Sequence, residues 1–373
     1  MTDTIKVTCE NIGATIDAPM GTTLGDIARK LNIATARPFL AAYVNHRIKE
    51  LGYKIYTPVT VRFIDITSFE GIRVYQRTCW FLLQKAAAER YPGRKLHIRH
   101  SMGGSGFYCE IEGIDEFPRE EAAALRDCMR RLADADLPIR RRKTFTSEVR
   151  EIYRRQGLDD KVALLDTRPR LYSDLYTLDG LAGYFYGSLA PSTGYVTLFD
   201  IEPCYNGFRL ALPLRTAPDR IDTDVHQEKM SDIFREYQRW VNIMGVPTVG
   251  DVNSKVLAGD AGGMIKLAEA FHERKLAEMA DAILEANAVR GVRTVLISGP
   301  SSSGKTTTAK RLGIQLRILG LNPVLISLDD YFVERDKTPL DENGDYDFEA
   351  LEAIDLELLA SDLKRLFAGE SVD

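Results

Sequence analysis

Eight consecutive residues carry the clearest chemistry in this chain. Gly299, Pro300, Ser301, Ser302, Ser303, Gly304, Lys305 and Thr306 stand in the order Gly-x-x-x-x-Gly-Lys-Thr, the spacing of a phosphate-binding loop. An apolar run rich in β-branched residues enters it at 292–298, and a helical pattern leaves it at 305–319. Glycines at such a turn let the backbone aim its N–H groups at phosphate oxygens, and the helix start adds partial positive charge. Lys305 is placed to reach the outer phosphates of ATP, and the Thr306 hydroxyl to meet Mg²⁺. Thr307 extends the same loop into the helix.

Asp329 and Asp330 end a second apolar run at 324–328. Carboxylates at the end of a strand beside the phosphate strand would face the ligand crevice. Asp329 would either activate an acceptor hydroxyl or hold Mg²⁺; the bland alternative is a solvated helix start. The order of strand, loop, helix and strand predicts a parallel α/β sheet from residue 292 onward.

The elements ahead of the loop read differently. Runs at 5–9 and 15–18 predict a hairpin, and Thr23 predicts a cap for a helix over 24–31. Further strands at 40–44 and 59–64 complete a β-grasp pattern within residues 1–66. Residues 67–215 predict an α+β domain, with helices at 75–91 and 119–136, a strand at 107–111 and many Tyr and Phe over 172–214. Residues 216–291 predict a helical connector with helices at 222–243 and 266–288. In the second helix, Leu276, Met279, Ala280, Ile283 and Leu284 form one stripe at helical spacing. The fold class is thus multidomain, α+β followed by α/β, with the phosphate-loop domain at 292–373.

Composition sets the outer bounds. The 373 residues are 45% hydrophobic and 28% charged, the values of an ordinary globular protein. No apolar stretch approaches the roughly 20 residues of a membrane span, and the first residues lack a signal-peptide pattern, so a cytoplasmic protein with no membrane partner is expected. Five cysteines (Cys9, Cys79, Cys109, Cys128, Cys204) show no metal or disulfide spacing, which predicts buried thiols. Residues 1–215 carry 31 Lys and Arg against 26 Asp and Glu, whereas the rest carries 18 against 28. That asymmetry predicts different partners for the two halves.

At its loop the chain resembles the uridine kinase and phosphoribulokinase branch of P-loop kinases. The resemblance runs through Ile297-Ser298 and the loop to Thr307, through Ser327-Leu328-Asp329-Asp330-Tyr331-Phe332, and through Phe348-Glu349-Ala350-Leu351-Glu352-Ala353-Ile354-Asp355. It implies transfer of the ATP γ-phosphoryl group to a nucleoside 5′-hydroxyl, with uridine or cytidine as acceptor. Asp329 and Lys305 would be catalytic, Asp329, Tyr331 and Glu349 would line the acceptor, and Thr306 and Asp329 would serve Mg²⁺. Glu349 stands where the family has Asp. The family continues beyond the point matching Asp373, which implies a truncated chain or gene fragment with little turnover.

The front half resembles threonyl-tRNA synthetases. Residues 1–66 look like their TGS domain, and residues 67–215 like their editing domain, through 76–83, Tyr91-Pro92, Gly106-Phe107-Tyr108 and Pro191-Ser192-Thr193-Gly194. The family's HxxxH pair falls on Arg77 and Phe81, and its Cys and His on Phe185 and Leu189. None of these can supply editing chemistry, which implies a binding or structural module with a refilled pocket. The order of domains resembles that of long bacterial proteins described as uridine kinases.

Weaker constellations remain. His97 and His100 would point to opposite faces of a strand, which suits surface histidines better than a metal. Arg140, Arg141, Arg142 and Lys143, with Arg126, Arg130 and Arg131, could meet RNA phosphates or form a solvated helix and loop balanced by Asp127, Asp134 and Asp136. Tyr172, Tyr176, Tyr184, Phe185 and Tyr186 could stack bases, although core packing suits them better. His226 and His272 carry no assigned role. The alternatives to a nucleoside kinase are an RNA-binding protein whose loop acts as a nucleotide-dependent switch, and a kinase for another small hydroxyl compound. RNA contact by residues 1–215 and self-association stay open.

Overall fold

The computed structural model describes residues 3–223, 227–342 and 344–372. The chain divides into two compact units, 1–260 and 261–373. It is a mixed α and β protein with several separate sheets. No helix among the described residues is long and apolar enough to cross a membrane.

The first unit opens with β1 (Thr4–Cys9), β2 (Ala14–Pro19), α1 (Leu24–Leu31), β3 (Ala41–Val44), β4 (Arg47–Glu50) and β5 (Val59–Ile64). These strands form one five-stranded sheet in the order β2-β1-β5-β3-β4. β1 pairs with β5 in parallel, and the other pairs are antiparallel. Burial alternates along β1, so Ile5, Val7 and Cys9 face inward, as the period of two requires. The Thr23 hydroxyl caps α1 by accepting from the Asp26 amide at 3.1 Å, and Leu24 and Ile27 fill the core against the sheet.

The next element, α2 (Phe69–Arg90), starts six residues earlier than periodicity suggests. The Ser68 hydroxyl caps it by accepting from the Gly71 amide at 3.0 Å. Gly71 is required there, because a Cβ would sit 1.7 Å from the Asp65 carbonyl oxygen. The buried side of α2, with Val74, Cys79, Leu82, Leu83 and Ala86, is the spine of the largest core.

Around it stand β6 (Leu96–Met102), β7 (Gly106–Ile111), α3 (Arg119–Asp134), β8 (Ile139–Phe145), α4 (Thr146–Arg155) and α5 (Asp159–Asp166). They are followed by β9 (Tyr172–Leu178), β10 (Leu181–Gly183), β11 (Asp200–Cys204), β12 (Gly207–Ala211), β13 (Pro213–Leu214) and β14 (Ala217–Ile221). The sheets run β11-β12-β7-β6 and β10-β9-β8, and β13 and β14 pair alone. The basic run 140–143 is therefore a strand, not a helix and loop. β8 is held by seven register pairs to β9, from Ile139 opposite Leu178 to Phe145 opposite Tyr172.

The unit closes with α6 (Glu228–Ile243) and α7 (Val249–Leu257). α6 starts at Glu228 and not at residue 222, which like 223 is not helical, while residues 224–226, His226 among them, lie outside the described residues. All five cysteines are free, and burial pushes the Cys79 and Cys109 thiols up.

The second unit holds α8 (Ala261–Arg290), α9 (Lys305–Ile318) and α10 (Leu356–Ala368). Leu276 and Ala280 of α8 meet Leu312 and Leu316 of α9, two i, i+4 pairs forming a small core. Met279, expected in that stripe, is 42% exposed.

The expected parallel α/β sheet is absent among the described residues: 292–298 and 324–327 form no strand. Leu296 is 89% exposed and Val324 61%. A parallel pair is stable when helices bury both faces, and fixing each extended residue costs about 1–2 kcal/mol. The two runs have the composition of strands without the pairing that offsets this cost.

Candidate functional site

A cleft of about 660 Å³ lies in the first unit, where the 49–54 stretch at the end of β4 meets β8 and β9. Lys49, Lys54, Arg140, Arg141 and Lys143 line it, opposed by the carboxylates of Glu50 and Asp174. Arg141 spans both acids, 2.8 Å from Asp174 and 3.6 Å from Glu50. Lys54, Arg140 and Lys143 are exposed, and no carboxylate of a described residue pairs with them.

Glu50 anchors the floor. Its side chain is 20% exposed; it accepts from the Tyr176 hydroxyl and from the Leu189 amide at 3.3 Å. Burial pushes its carboxyl above the usual range, while Tyr176 and Arg141 pull it back. Burial, joined by the Glu50 carboxylate, pushes the Tyr176 hydroxyl up. Beyond the cleft, β8 and β9 end on a stacked pair, Phe145 and Tyr172, with ring centroids 4.9 Å apart. Both rings are about half exposed, and Lys143 lies 6.0 Å from the Tyr172 centroid.

The basic residues flagged in sequence divide into two sets. Arg126 pairs with Asp127 and Asp200, Arg130 donates to the Thr197 carbonyl at 2.8 Å, and Arg131 pairs with Glu89. These hold α3 in place. Arg142 pairs with Glu148. Only Arg140, Arg141 and Lys143 reach the cleft, joined there by Lys49 and Lys54, which nothing in their local sequence singles out.

Directly behind the cleft, Arg77, Phe81, Phe185 and Leu189 come together. Phe81 and Leu189 are buried in one cluster with Tyr176 and Leu178. Phe185 lies tilted 5.0 Å from Phe81 and edge-on 5.8 Å from Tyr176, and Arg77 donates to the Ser188 carbonyl at 3.2 Å. Tyr176 and Phe185 are thus packing residues. Tyr184 packs beside the neighbouring core of α4 and α5. The four positions form an apolar plug closed by a guanidinium, which can neither ligate metal nor move protons.

The phosphate loop keeps its local geometry with no sheet beneath it among the described residues. Ser302 (φ 59°) and Gly304 (φ 88°) take left-handed backbone, and Gly304 precedes the first residue of α9. Residues 299–307 are exposed. The Lys305 amine folds back on its own loop, donating to the carbonyls of Gly299 at 2.8 Å and Pro300 at 3.2 Å. Asp329 is exposed on a 3-10 turn capped by Ser327. Tyr331 is buried and donates to Asp362 at 3.0 Å. Glu349 is exposed, its amide donating to Asp347 at 3.0 Å.

His100 stacks on Phe234 at 4.0 Å, His97 is held below its usual value by burial, and β6 changes register between Ile98 and His100. His272 lies beside Arg311 at 3.3 Å. No group of three or more His, Cys, Asp and Glu among the described residues could hold a metal ion.

No family model matches the chain. Among curated proteins, it is 28% identical over 190 residues to a threonine–tRNA ligase of Rubrobacter xylanophilus, covering 51% of this chain and 29% of that protein. It is 24% identical over 176 residues to a threonine–tRNA ligase of Francisella tularensis, covering 47% of this chain and 28% of that protein. The chain thus spans less than a third of the length of these relatives. The matching part is the front of the chain. These relatives correct the expectation of a uridine kinase or phosphoribulokinase relative and of nucleoside phosphorylation. These relatives are ligases, not nucleoside kinases.

Proposed function

We propose that the first unit binds tRNA-type RNA through the cleft between β4 and β8 and performs no editing there. The observation that carries this reading is the cleft itself: five cationic side chains against two carboxylates, with a half-exposed aromatic pair beside it. Lysine and arginine neutralise backbone phosphates, and exposed rings stack unpaired bases. The resemblance to threonine–tRNA ligases supports the choice of RNA. In this reading residues 1–66 are a β-grasp module of the TGS type, supported by the β2-β1-β5-β3-β4 order. Residues 67–215 are an editing-type domain whose pocket is plugged, and residues 216–291 are a connector. The cytoplasm is the proposed location.

A gel shift with tRNA at two salt concentrations tests the reading. With Arg141 held by the two acids, four phosphate contacts predict a fall in affinity of roughly 50- to 150-fold between about 50 and 200 mM salt. Replacing Lys54 and Arg140 with Ala should lower the log–log salt slope by about one for each residue. Salt-independent binding, or a slope unmoved by both substitutions, would remove the cleft from RNA recognition.

A second reading concerns the loop at 299–306, favoured by the left-handed Ser302 and Gly304 at the head of a 14-residue helix. Here the loop amides and Lys305 would hold the phosphates of ATP, and Thr306 with Asp329 would supply oxygen ligands to Mg²⁺. Magnesium keeps most of its shell as water and phosphate oxygen, so two protein oxygens suffice. Calorimetric titration with Mg²⁺·ATP, compared with Lys305→Ala, tests it: equal heats from both proteins would refute the assignment.

A further inference from the structure

A second cavity, about 550 Å³, opens where the residues before β3 meet the β13–β14 hairpin, beside the start of α2. Arg37, Thr67, Arg215, Asp219 and Arg220 line it. It shares no lining residue with the cleft described above. Three guanidinium groups therefore face one carboxylate.

Each arginine keeps unused donors. Arg37 pairs through a terminal nitrogen with Asp219. Its Nε–H is buried and has no hydrogen-bond partner among the described residues. Arg215 lies over the Phe69 ring at 4.1 Å and donates to the Thr67 carbonyl at 3.3 Å. Neither contact neutralises it. Arg220 is exposed. Thr67 immediately precedes the Ser68 cap of the 22-residue helix α2, so the positive end of that helix lies beside the arginines.

A buried donor without an acceptor is costly, and a guanidinium fork fits tetrahedral oxyanions better than any neutral acceptor. Arg37 and Arg215 are already held by Asp219 and Phe69, so little ordering remains to be done on binding. We propose that this cavity is an oxyanion site that takes a phosphate group. The phosphate belongs either to an RNA backbone running past the first unit or to a free phosphate-bearing small molecule. The open faces of Arg215 and Arg220 supply the donors, and the Arg37 guanidinium adds its charge beside them.

The experiment uses the whole chain, Arg215→Gln, Arg220→Gln, and the cleft double variant Lys54→Ala/Arg140→Ala. Inorganic phosphate is titrated by calorimetry, tRNA is followed by gel shift, and circular dichroism checks folding. We expect phosphate affinity to fall about tenfold or more in Arg215→Gln and to survive in the cleft variant. Survival there separates this site from the RNA reading of the cleft. If tRNA affinity also falls in Arg215→Gln and Arg220→Gln, the phosphate is that of RNA. If tRNA affinity holds while phosphate binding is lost, the ligand is a free phosphate compound. The proposal is overturned if both folded arginine variants bind phosphate and tRNA as the unchanged chain does.

Discussion

The loop at 299–306 and the cleft beside β8 both present donors suited to phosphate, and they are built in opposite ways. The loop consists of consecutive residues, so its backbone curl forms from local φ values at Ser302 and Gly304, with no sheet beneath it among the described residues. The cleft takes side chains from positions 49–54, 139–143 and 174–191, and it exists only because β4, β8 and β9 are held in register. A run of residues can satisfy a motif by local geometry alone. A composite site cannot appear without the fold, so its presence says more about a place that chain has built. Substitutions can break or sharpen that contrast, beginning behind the cleft.

The largest effect should come from Phe81→Ala. Phe81 is fully buried and touches Phe185, Tyr176 and Leu189. Truncating such a ring costs about 3–5 kcal/mol. Urea unfolding followed by the fluorescence of the neighbouring Trp80 would measure it. A loss below about 1 kcal/mol would mean that the plug is loosely packed and that the pocket behind the cleft is open.

Tyr176→Phe should come next. The hydroxyl donates to Glu50, with the Gly187 carbonyl at 2.9 Å as the competing acceptor for its single proton. Removing a hydrogen bond to a partly buried carboxylate costs about 1.5–3 kcal/mol. The same urea titration reads it, and an unchanged midpoint would detach Tyr176 from the cleft floor.

How much of this was legible beforehand depended on range. The β1–β2 hairpin, the Thr23 cap and the helix after the phosphate loop are local features, and their residues announced them. β8 was hidden, because Arg140, Arg141, Arg142 and Lys143 carry no apolar alternation. Its strand character comes from pairing with β9, about 30 residues away. Lys49 and Lys54 gave no signal, since a surface lysine is ordinary until a second strand faces it. The meeting of Arg77 and Phe81 with Phe185 and Leu189, over 100 residues apart, was reachable only through the resemblance to synthetases. The opposite error arose at 292–298 and 324–328. Their strand composition was real, but composition cannot supply a pairing partner.

Glu50 separates the cleft from the loop by pH. Burial raises its carboxyl, so the folded state holds that proton more tightly than the unfolded state does. The folded protein should lose stability as pH rises from the ordinary glutamate value through the raised one, and regain it as pH falls. Glu121 has the opposite sign: hydrogen bonds from Tyr91 and Arg90 lower it, so its contribution is lost as pH falls through the lowered value. The informative quantity is therefore the difference between the unchanged chain and Glu50→Gln. That difference should shrink on acidification across this window, and a pH-independent difference would mean that Glu50 is solvated.

The smallest effect is expected at Leu296→Ala. In a packed phosphate strand a central leucine would cost about 2–5 kcal/mol to truncate. Here Leu296 is 89% exposed and its segment has no strand partner among the described residues. Surface substitutions of this kind stay within about 0.5 kcal/mol. Thermal unfolding of the second unit, followed by helix signal at α8 and α9, should therefore shift hardly at all. A loss of about 2 kcal/mol or more would mean that 292–298 is buried in solution. The loop would then rest on a sheet, and the contrast between a motif without a scaffold and a cleft built by one would fail.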